Sequence, residues 1–252
     1  MAEKRKRIHM LDEIRGFAVI CMIVHHSFLD VGDVLGLEWG YKIFDALCVF
    51  QPLFWAAFII ISGMCTRLSR NAVKRGGLVL ACACVITLFT AVLLPLFGFH
   101  NAQIYFGVLH FLGISMIITG LLLPLLRRID YRTGAAVSIA LFFLFYGVDS
   151  GSMASGLIKL PESLYRNNYF AFLGFHNEGF YSADYFPLLP WIFIFFFGAF
   201  LGKFAQEDAL PRAMYKSRSR FLSFIGKNSL WIYVAHQPII YGIFFVIALI
   251  IS

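Results

Sequence analysis

The sequence predicts an all-α protein, a polytopic membrane bundle of about seven transmembrane helices with its N-terminus in the cytoplasm and its C-terminus outside. Composition is the first support: 60% of the 252 residues are hydrophobic and only 14% are charged, which excludes an ordinary soluble domain. The second is a set of seven apolar runs long enough to cross a bilayer, at 14–32, 44–66, 73–96, 104–126, 133–149, 185–204 and 228–250.

The third support is the distribution of lysine and arginine. With a cytoplasmic N-terminus, 18 of the 21 basic residues fall in inner segments, and only Lys42, Lys159 and Arg166 fall outside. Cytoplasmic segments are enriched in lysine and arginine in just this way. Because these charges cluster between apolar runs, the net charge of +7 indicates topology rather than nucleic-acid binding. The inner set is Lys4, Arg5, Lys6, Arg7, Arg15, Arg67, Arg70, Lys74, Arg75, Arg127, Arg128, Arg132, Lys203, Arg212, Lys216, Arg218, Arg220 and Lys227.

The chain is expected to form one domain over residues 1–252, with a long outer loop at 150–184. The five cysteines lie in apolar segments without metal-ligand spacing, so we expect them to pack in the core and expect no metal site. Gly198 and Gly202 have the spacing of a helix-packing motif, which permits packing within one chain or between two copies. A homodimer is therefore one allowed assembly.

The first run carries a stripe of ionisable residues. Arg15 and His26 are eleven residues apart, about three turns, so they share one helix face with a rise of about 16 Å between them. Asp30 follows one turn later on the same face. Ionisable groups within a membrane span are costly unless they face a protein interior or a water-filled cavity. The stripe therefore predicts a functional site.

Several roles follow for the histidines in the apolar runs. Asp30 is expected to hold one ring nitrogen of His26 and leave the other as a general base, although a structural hydrogen bond between helices is the alternative. His25 is turned by about 100° and is expected to pack. His110 in the fourth run suits a site or a structural role equally. His236 precedes Pro238, so it marks either the site or a helix break.

The outer loop 150–184 is rich in aromatic rings placed between amides and carboxylates. A sugar offers an apolar face and hydroxyl groups, so this composition favours a carbohydrate ligand. An interfacial belt of aromatic residues is the alternative. The aromatic residues are Tyr165, Tyr169, Phe170, Phe172, Phe175, Phe180 and Tyr181.

Four blocks of sequence resemble a known family. Arg15, followed eleven residues later by His26, resembles the arginine-to-histidine motif of membrane acyltransferases that modify sugars. The stretches 11–16 (LDEIRG), 106–113 (FGVLHFLG), 184–191 (DYFPLLPW) and 226–238 (GKNSLWIYVAHQP) are similar to bacterial relatives of the catalytic domain of heparan-alpha-glucosaminide N-acetyltransferase. The resemblance covers nearly the whole chain, in the expected order.

The resemblance implies an acyl-CoA-dependent O- or N-acetyltransferase of a bacterial inner membrane. Acetyl-CoA, as a co-substrate, would give its acetyl group from the cytoplasm to an amine or hydroxyl of a sugar or glycan outside. Three sets of residues follow for this sequence. The catalytic set is His26, Asp30 and His110. The acyl-CoA-binding set is Arg15, Arg67, Arg70, Arg75 and His236. The acceptor-binding set is Asp184, Trp191 and Glu178.

The sequence departs from the family's lysosomal enzyme at one functional position. There an asparagine stands at the position of His26, and a histidine of the following outer segment acts on the acceptor. Residues 31–45 here contain no histidine, so His26 or His110 would supply the base. Two other function classes stay open: a transporter or flippase for a sugar or acyl-sugar that leaves the thioester intact, and a haem protein with histidine axial ligands.

Overall fold

A computed structural model describes residues 7–98 and 102–251. Lys4, Arg5 and Lys6 of the predicted inner set lie outside this part of the chain. In the described residues the protein is all-α apart from one short β-hairpin. The helices are α1 (His9–Leu35), α2 (Glu38–Cys48), α3 (Gln51–Leu68), α4 (Ala72–Leu96), α5 (Val108–Leu126), α6 (Tyr131–Phe145), α7 (Trp191–Gln206), α8 (Arg220–Lys227) and α9 (Ser229–Ile251).

Among the described residues, six helices are long and apolar enough to cross a membrane: α1, α3, α4, α5, α9 and the segment Tyr131–Ser150 that begins with α6. The all-α polytopic bundle is thereby confirmed, whereas its orientation stays a prediction. The seventh apolar helix, α7, has 16 residues and so spans only about 24 Å. Its start at Trp191 corrects the predicted start at 185, because Pro187 and Pro190 supply no backbone N–H.

Two further boundaries differ from the prediction. The second run, 44–66, is divided: residues 44–48 end α2, the chain turns at 49–50, and α3 begins at Gln51. The fourth run becomes helical only at Val108, because residues before it pair with a distant segment. Ala183 donates its N–H to Gln103 at 2.9 Å, and Phe186 donates its N–H to Phe106 at 3.2 Å.

The described residues divide into two compact units, with the boundary inside α3 after Ile61. The first unit contains Met1–Ile61 and Asp208–Ser252, and in it α1 packs against α2, α8 and α9. The contact of α1 with α8 depends on glycine. A Cβ on Gly226 would lie 1.8 Å from the carbonyl oxygen of Asp12, and one on Gly16 would lie 2.1 Å from that of Leu222. Only glycine permits backbones to approach so closely.

The second unit is Ser62–Glu207. Here α4 packs against α5, and α7 packs against both α5 and α6. A Cβ on Gly202 would lie 2.9 Å from the carbonyl oxygen of Met64, so this glycine of the predicted packing motif serves a contact within the chain.

The predicted outer loop has structure of its own. Strands β1 (Ser152–Met153) and β2 (Ile158–Lys159) form an antiparallel hairpin, and short 3-10 turns follow at Glu162–Tyr165 and Ala171–Leu173. The Tyr185 hydroxyl donates to the carbonyl oxygen of Ala171 at 2.7 Å. Burial, followed by Asp149 and Tyr165, raises the pKa of Tyr185 above its ordinary value. The phenol therefore stays protonated and keeps this hydrogen bond at neutral pH.

Candidate functional site

Two histidines meet where α1 packs against α9 in the first unit. The ring centroids of His26 and His236 lie 5.3 Å apart, and the ring of His25 lies 5.7 Å from that of His26. His236 is 8% exposed, and His26 is partly buried. The chain therefore brings together the histidines that the sequence placed in its first and last apolar runs.

The hydrogen bonding of His236 fixes its tautomer. Its Nδ1 contacts the carbonyl oxygen of Tyr233, one turn earlier on α9. Because a carbonyl only accepts, Nδ1 carries the proton, and in the neutral ring Nε2 then holds a free lone pair. That Nε2 is buried and has no hydrogen-bond partner among the described residues. A buried, pre-oriented imidazole of this kind is able to accept a proton from a bound substrate.

Asp30 has a different partner from the expected one. Both of its carboxylate oxygens accept from Nε2 of Gln237, at 3.0 and 3.1 Å, and the residue is only 3% exposed. No hydrogen bond joins Asp30 to His26 within residues 7–98 and 102–251, so the predicted orientation of His26 by Asp30 is corrected. The Asp30 side chain on α1 is short, and the longer Gln237 side chain on α9 reaches it across the contact between the two helices. Gln237 directly follows His236 in the sequence but was not in the predicted catalytic or binding sets.

His25 also contacts α2, in line with the packing role predicted for it. Its ring lies 4.2 Å from the ring of Phe44, centroid to centroid, and its Nε2 lies 3.4 Å from the Cys48 sulfur. These contacts connect α1 to α2 and indicate packing as its role.

Arg15 lies at the other end of α1. Its Nη1 is 3.7 Å from Oδ1 of Asp12, whose second oxygen accepts from Nε of Arg7 at 2.8 Å. Nearby, Glu13 is buried, and its Oε1 accepts from the backbone N–H groups of Arg218 and Ser219 at 2.7 and 3.0 Å. Arg15 and Gly16 therefore lie where α8 is anchored to α1. The motif 11–16 has a structural role in this contact, besides any contact with a ligand.

His110 lies in the second unit, at the start of α5, and both of its ring nitrogens are used. Nδ1 accepts from the N–H of Gly107 at 3.2 Å, and Nε2 lies 3.2 Å from Oγ1 of Thr87. Because the Thr87 hydroxyl donates to the carbonyl of Ile104, its oxygen accepts from Nε2–H. This ring caps the helix and therefore has a structural role, whereas its predicted catalytic role stays a prediction.

The three predicted acceptor residues all lie in this second unit. Asp184 uses Oδ2 to accept from the N–H of Val108 at 3.2 Å, so it caps α5 as well. Trp191 packs against Phe186 and Phe142, with centroid distances of 5.3 and 5.4 Å. Glu178 is exposed on the loop. Neither the Asp184 hydrogen bond nor these two ring contacts of Trp191 involve Glu178.

The predicted cations of α3 and α4 divide into one buried and several exposed side chains. Arg67 is buried, and it donates through Nε to Gln206 at 3.1 Å and through Nη1 to the Ala199 carbonyl at 3.5 Å. Its guanidinium therefore joins α3 to α7, which differs from the expected open cation. Arg70, Lys74 and Arg75 are exposed.

Comparison with known proteins assigns the chain. A family model described as heparan-alpha-glucosaminide N-acetyltransferase, catalytic, matches residues 7–238. The chain belongs to this family. No curated protein sequence matches, and no solved structure matches. Membership makes the chain an acetyltransferase. With six helices in its described residues that are long and apolar enough to cross a membrane, it is an integral membrane protein.

The four motif blocks of this acetyltransferase pair within the two units. Blocks 11–16 and 226–238 meet in the first unit through the close approach of Gly16 and Gly226. Blocks 106–113 and 184–191 meet in the second unit through the bond from Val108 N–H to Asp184. Each pair thus builds a packed junction. In block 226–238, Nε2 of His236 and Oε1 of Gln237 are buried and have no hydrogen-bond partner among the described residues.

Proposed function

We propose that the chain transfers an acetyl group from cytoplasmic acetyl-CoA to an amine or hydroxyl of a sugar on the outer side of a membrane. The observation that carries the proposal is the buried Nε2 of His236, which lies beside the ring of His26 and has no hydrogen-bond partner in the described part of the chain. A buried nitrogen base without a partner is costly for folding alone, so a substrate that supplies a proton accounts for it.

In the proposed step, Nε2 of His236 removes the proton of the acceptor N–H or O–H as that atom attacks the thioester carbonyl. The C–S bond then breaks, and the departing CoA thiolate takes the proton from the imidazolium and leaves as the thiol. The ring of Tyr233 lies 5.3 Å from that of His236, centroid to centroid, and its phenol is the candidate donor to the oxyanion. His26 positions the acceptor next to His236.

Cations at the predicted cytoplasmic ends support the donor side. Arg70, Lys74 and Arg75 are exposed at or just before the start of α4, whereas Arg15, in the second turn of α1, is largely buried. The CoA moiety carries several phosphates, and arginine and lysine are the side chains that bind them. The rise of about 16 Å from Arg15 to His26 suits a pantetheine arm that enters the membrane from this end.

Aromatic rings support a sugar as acceptor. His176 lies 5.1 Å from both Phe180 and Tyr185, and Tyr105 lies 6.4 Å from Phe180, all centroid to centroid. With the exposed Glu178 nearby in sequence, this cluster offers flat apolar faces and a carboxylate. Such a combination suits the apolar face and hydroxyl groups of a sugar.

The test uses the purified full chain in liposomes with acetyl-labelled CoA. Release of the CoA thiol and transfer of label to a panel of amino sugars are measured for wild type, His236→Gln and His26→Ala. Loss of a general base costs roughly 10²–10⁴-fold in turnover, so His236→Gln is expected to fall by that factor. His26→Ala is expected to raise the KM for the acceptor more than it lowers kcat.

His25→Gln is the matched control, because it removes a neighbouring histidine that packs on Phe44. It is expected to retain the wild-type rate. Wild-type turnover in His236→Gln would contradict the assigned base. Sugar movement across the membrane without any consumption of acetyl-CoA would contradict the proposed reaction and favour a transporter.

A further inference from the structure

A basic pocket lies in the first unit, between the start of α1 and one face of α8. It has a volume of about 410 Å³. Its lining residues are His9, Ser217, Arg220, Ser223, Phe224 and Lys227. His9 is 17 residues before His26 on the same helix, a rise of about 25 Å, so this pocket is separate from the histidine pair.

Two buried polar atoms at the pocket have no partner among the described residues. Ser223 is 4% exposed, and its Oγ makes no hydrogen bond there; Nδ1 of His9 is likewise buried and unbonded. Native proteins satisfy the great majority of buried polar atoms. Two orphan atoms lining one pocket therefore indicate a ligand with hydrogen-bonding oxygens.

The cations of the pocket follow from the periodicity of α8. Arg220, Ser223 and Lys227 are at positions i, i+3 and i+7, so they share one face, with about 10 Å of rise between the two cations. The carboxylates in the first turns of α1 are both engaged within the protein. Glu13 accepts from the Ser217 hydroxyl at 3.4 Å and from two backbone N–H groups, and Asp12 pairs with Arg7 and Arg15. Among the described residues neither carboxylate pairs with Arg220 or Lys227, so both cations of the face remain for an anion.

The rest of α8 indicates where that anion is found. Phe221 and Phe224 are 66% and 64% exposed, and α9, an apolar membrane helix, begins two residues after α8 ends. A short helix with exposed aromatic rings and basic side chains is typical of the membrane–water interface. Basic residues at the cytoplasmic face are drawn to anionic lipids.

We propose that this basic pocket binds the phosphate of an anionic ligand at the membrane surface. Two sources carry this chemistry, the headgroup of an anionic phospholipid and the phosphates of an acyl-CoA. The exposed Phe221 and Phe224 favour the phospholipid, whose acyl chains would cover them. The phosphate oxygens accept from Arg220, Lys227 and the hydroxyl of Ser223. This binding needs no acyl transfer, so it goes beyond the proposed function.

The experiment measures ligand binding to the purified full chain in a neutral detergent. Dioctanoyl-phosphatidylglycerol, dioctanoyl-phosphatidylcholine and CoA are the three probes, and native mass spectrometry reports each Kd. The pocket variant combines Arg220→Gln with Lys227→Gln. The matched control combines Arg212→Gln with Lys216→Gln, which removes two exposed cations of the preceding segment that do not line the pocket.

Wild type is expected to bind phosphatidylglycerol in preference to phosphatidylcholine, and the pocket variant to bind it about tenfold more weakly, since charge-assisted hydrogen bonds are lost. The control variant is expected to keep wild-type affinity. A selective loss of CoA affinity instead would assign the phosphate to the nucleotide. Equal binding of both probes by wild type and pocket variant, or an equal loss in the control, would overturn the proposal. Acetyl transfer in phosphatidylcholine liposomes is measured separately, so its failure would count against the reaction alone.

Discussion

Gln237 donates its side-chain amide to both carboxylate oxygens of Asp30, at 3.0 and 3.1 Å, and this bond joins the last apolar helix to the first. It is adjacent in sequence to His236, so the same helix contact that buries the amide also sets the position of the imidazole. We therefore propose that Gln237, held by Asp30, is a positioning residue for the proposed base.

Replacing Gln237 by leucine is expected to lower stability by about 1–3 kcal/mol, because the buried Asp30 carboxylate then has no donor. Thermal unfolding in detergent measures the effect. The double variant Asp30→Leu with Gln237→Leu removes both partners and is expected to recover part of the loss. A single variant as stable as wild type would show that the bond contributes nothing to the fold.

The close contact of α1 with α8 makes a second prediction. Gly226→Ala is expected to destabilise the chain by about 1–3 kcal/mol or more, because its Cβ would lie 1.8 Å from a backbone carbonyl that cannot move aside easily. Gly242→Ala is the matched control, since a Cβ there meets no atom within 4 Å. The control is expected to be neutral or slightly stabilising, as alanine favours helix over glycine. Equal unfolding temperatures for the two variants would contradict the described packing.

Replacing His110 is expected to lower the stability of the chain without lowering its turnover. His110→Ala leaves the buried N–H of Gly107 unpaired, which costs about 1–3 kcal/mol. Turnover per folded molecule is expected to stay near the wild-type value, in contrast to His236→Gln. Ser115→Ala in the same helix is the control, because its buried hydroxyl has no partner among the described residues and its loss is expected to be harmless. A fall in kcat without a fall in stability would restore the catalytic assignment of His110.

The cap of α6 predicts a pH dependence of stability. Asp130 accepts from the N–H groups of Thr133 and Arg132, at 3.1 and 3.0 Å, and these bonds hold its pKa below its ordinary value of about 3.9. A carboxyl with a lowered folded pKa contributes stability above its unfolded pKa and loses it as the pH falls through the folded value. The difference in unfolding temperature between wild type and Asp130→Ala is therefore expected to be constant from about pH 5 to 7 and to shrink progressively as the pH falls below about 4. A difference that persists unchanged at the lowest pH would show that the carboxylate charge is not the cause.

The orientation predicted from the basic residues is open to direct test. Alkaline phosphatase fused after Glu178 is expected to be active and a fusion after Lys216 inactive, because the first lies in a predicted outer segment and the second in an inner one. Fusions of green fluorescent protein at the same residues serve as the reciprocal control. The reverse pattern would invert the membrane topology and move the predicted CoA-facing cations to the outer side.

The sequence by itself determined the class of the protein. Long apolar runs, with basic residues between them, have few folded forms besides membrane helices, because the bilayer core leaves backbone polar groups no partner outside a helix or a closed barrel. The four motif blocks likewise indicated the family that residues 7–238 match. Helical periodicity also placed His26 and Asp30 on one face, since residues four apart share a face in any α-helix.

Only the tertiary structure decided which partners these residues have. Periodicity says nothing about which helix covers a face or with what register, so the bond of Asp30 to Gln237 and the pairing of His26 with His236 depended on how α1 packs against α9. His110 shows the same limit, because its capping of α5 depends on Thr87, 23 residues away, and on the backbone at Gly107. A sequence displays the polar groups that a membrane interior must satisfy, whereas the packing of helices determines which ones are satisfied and which remain for chemistry.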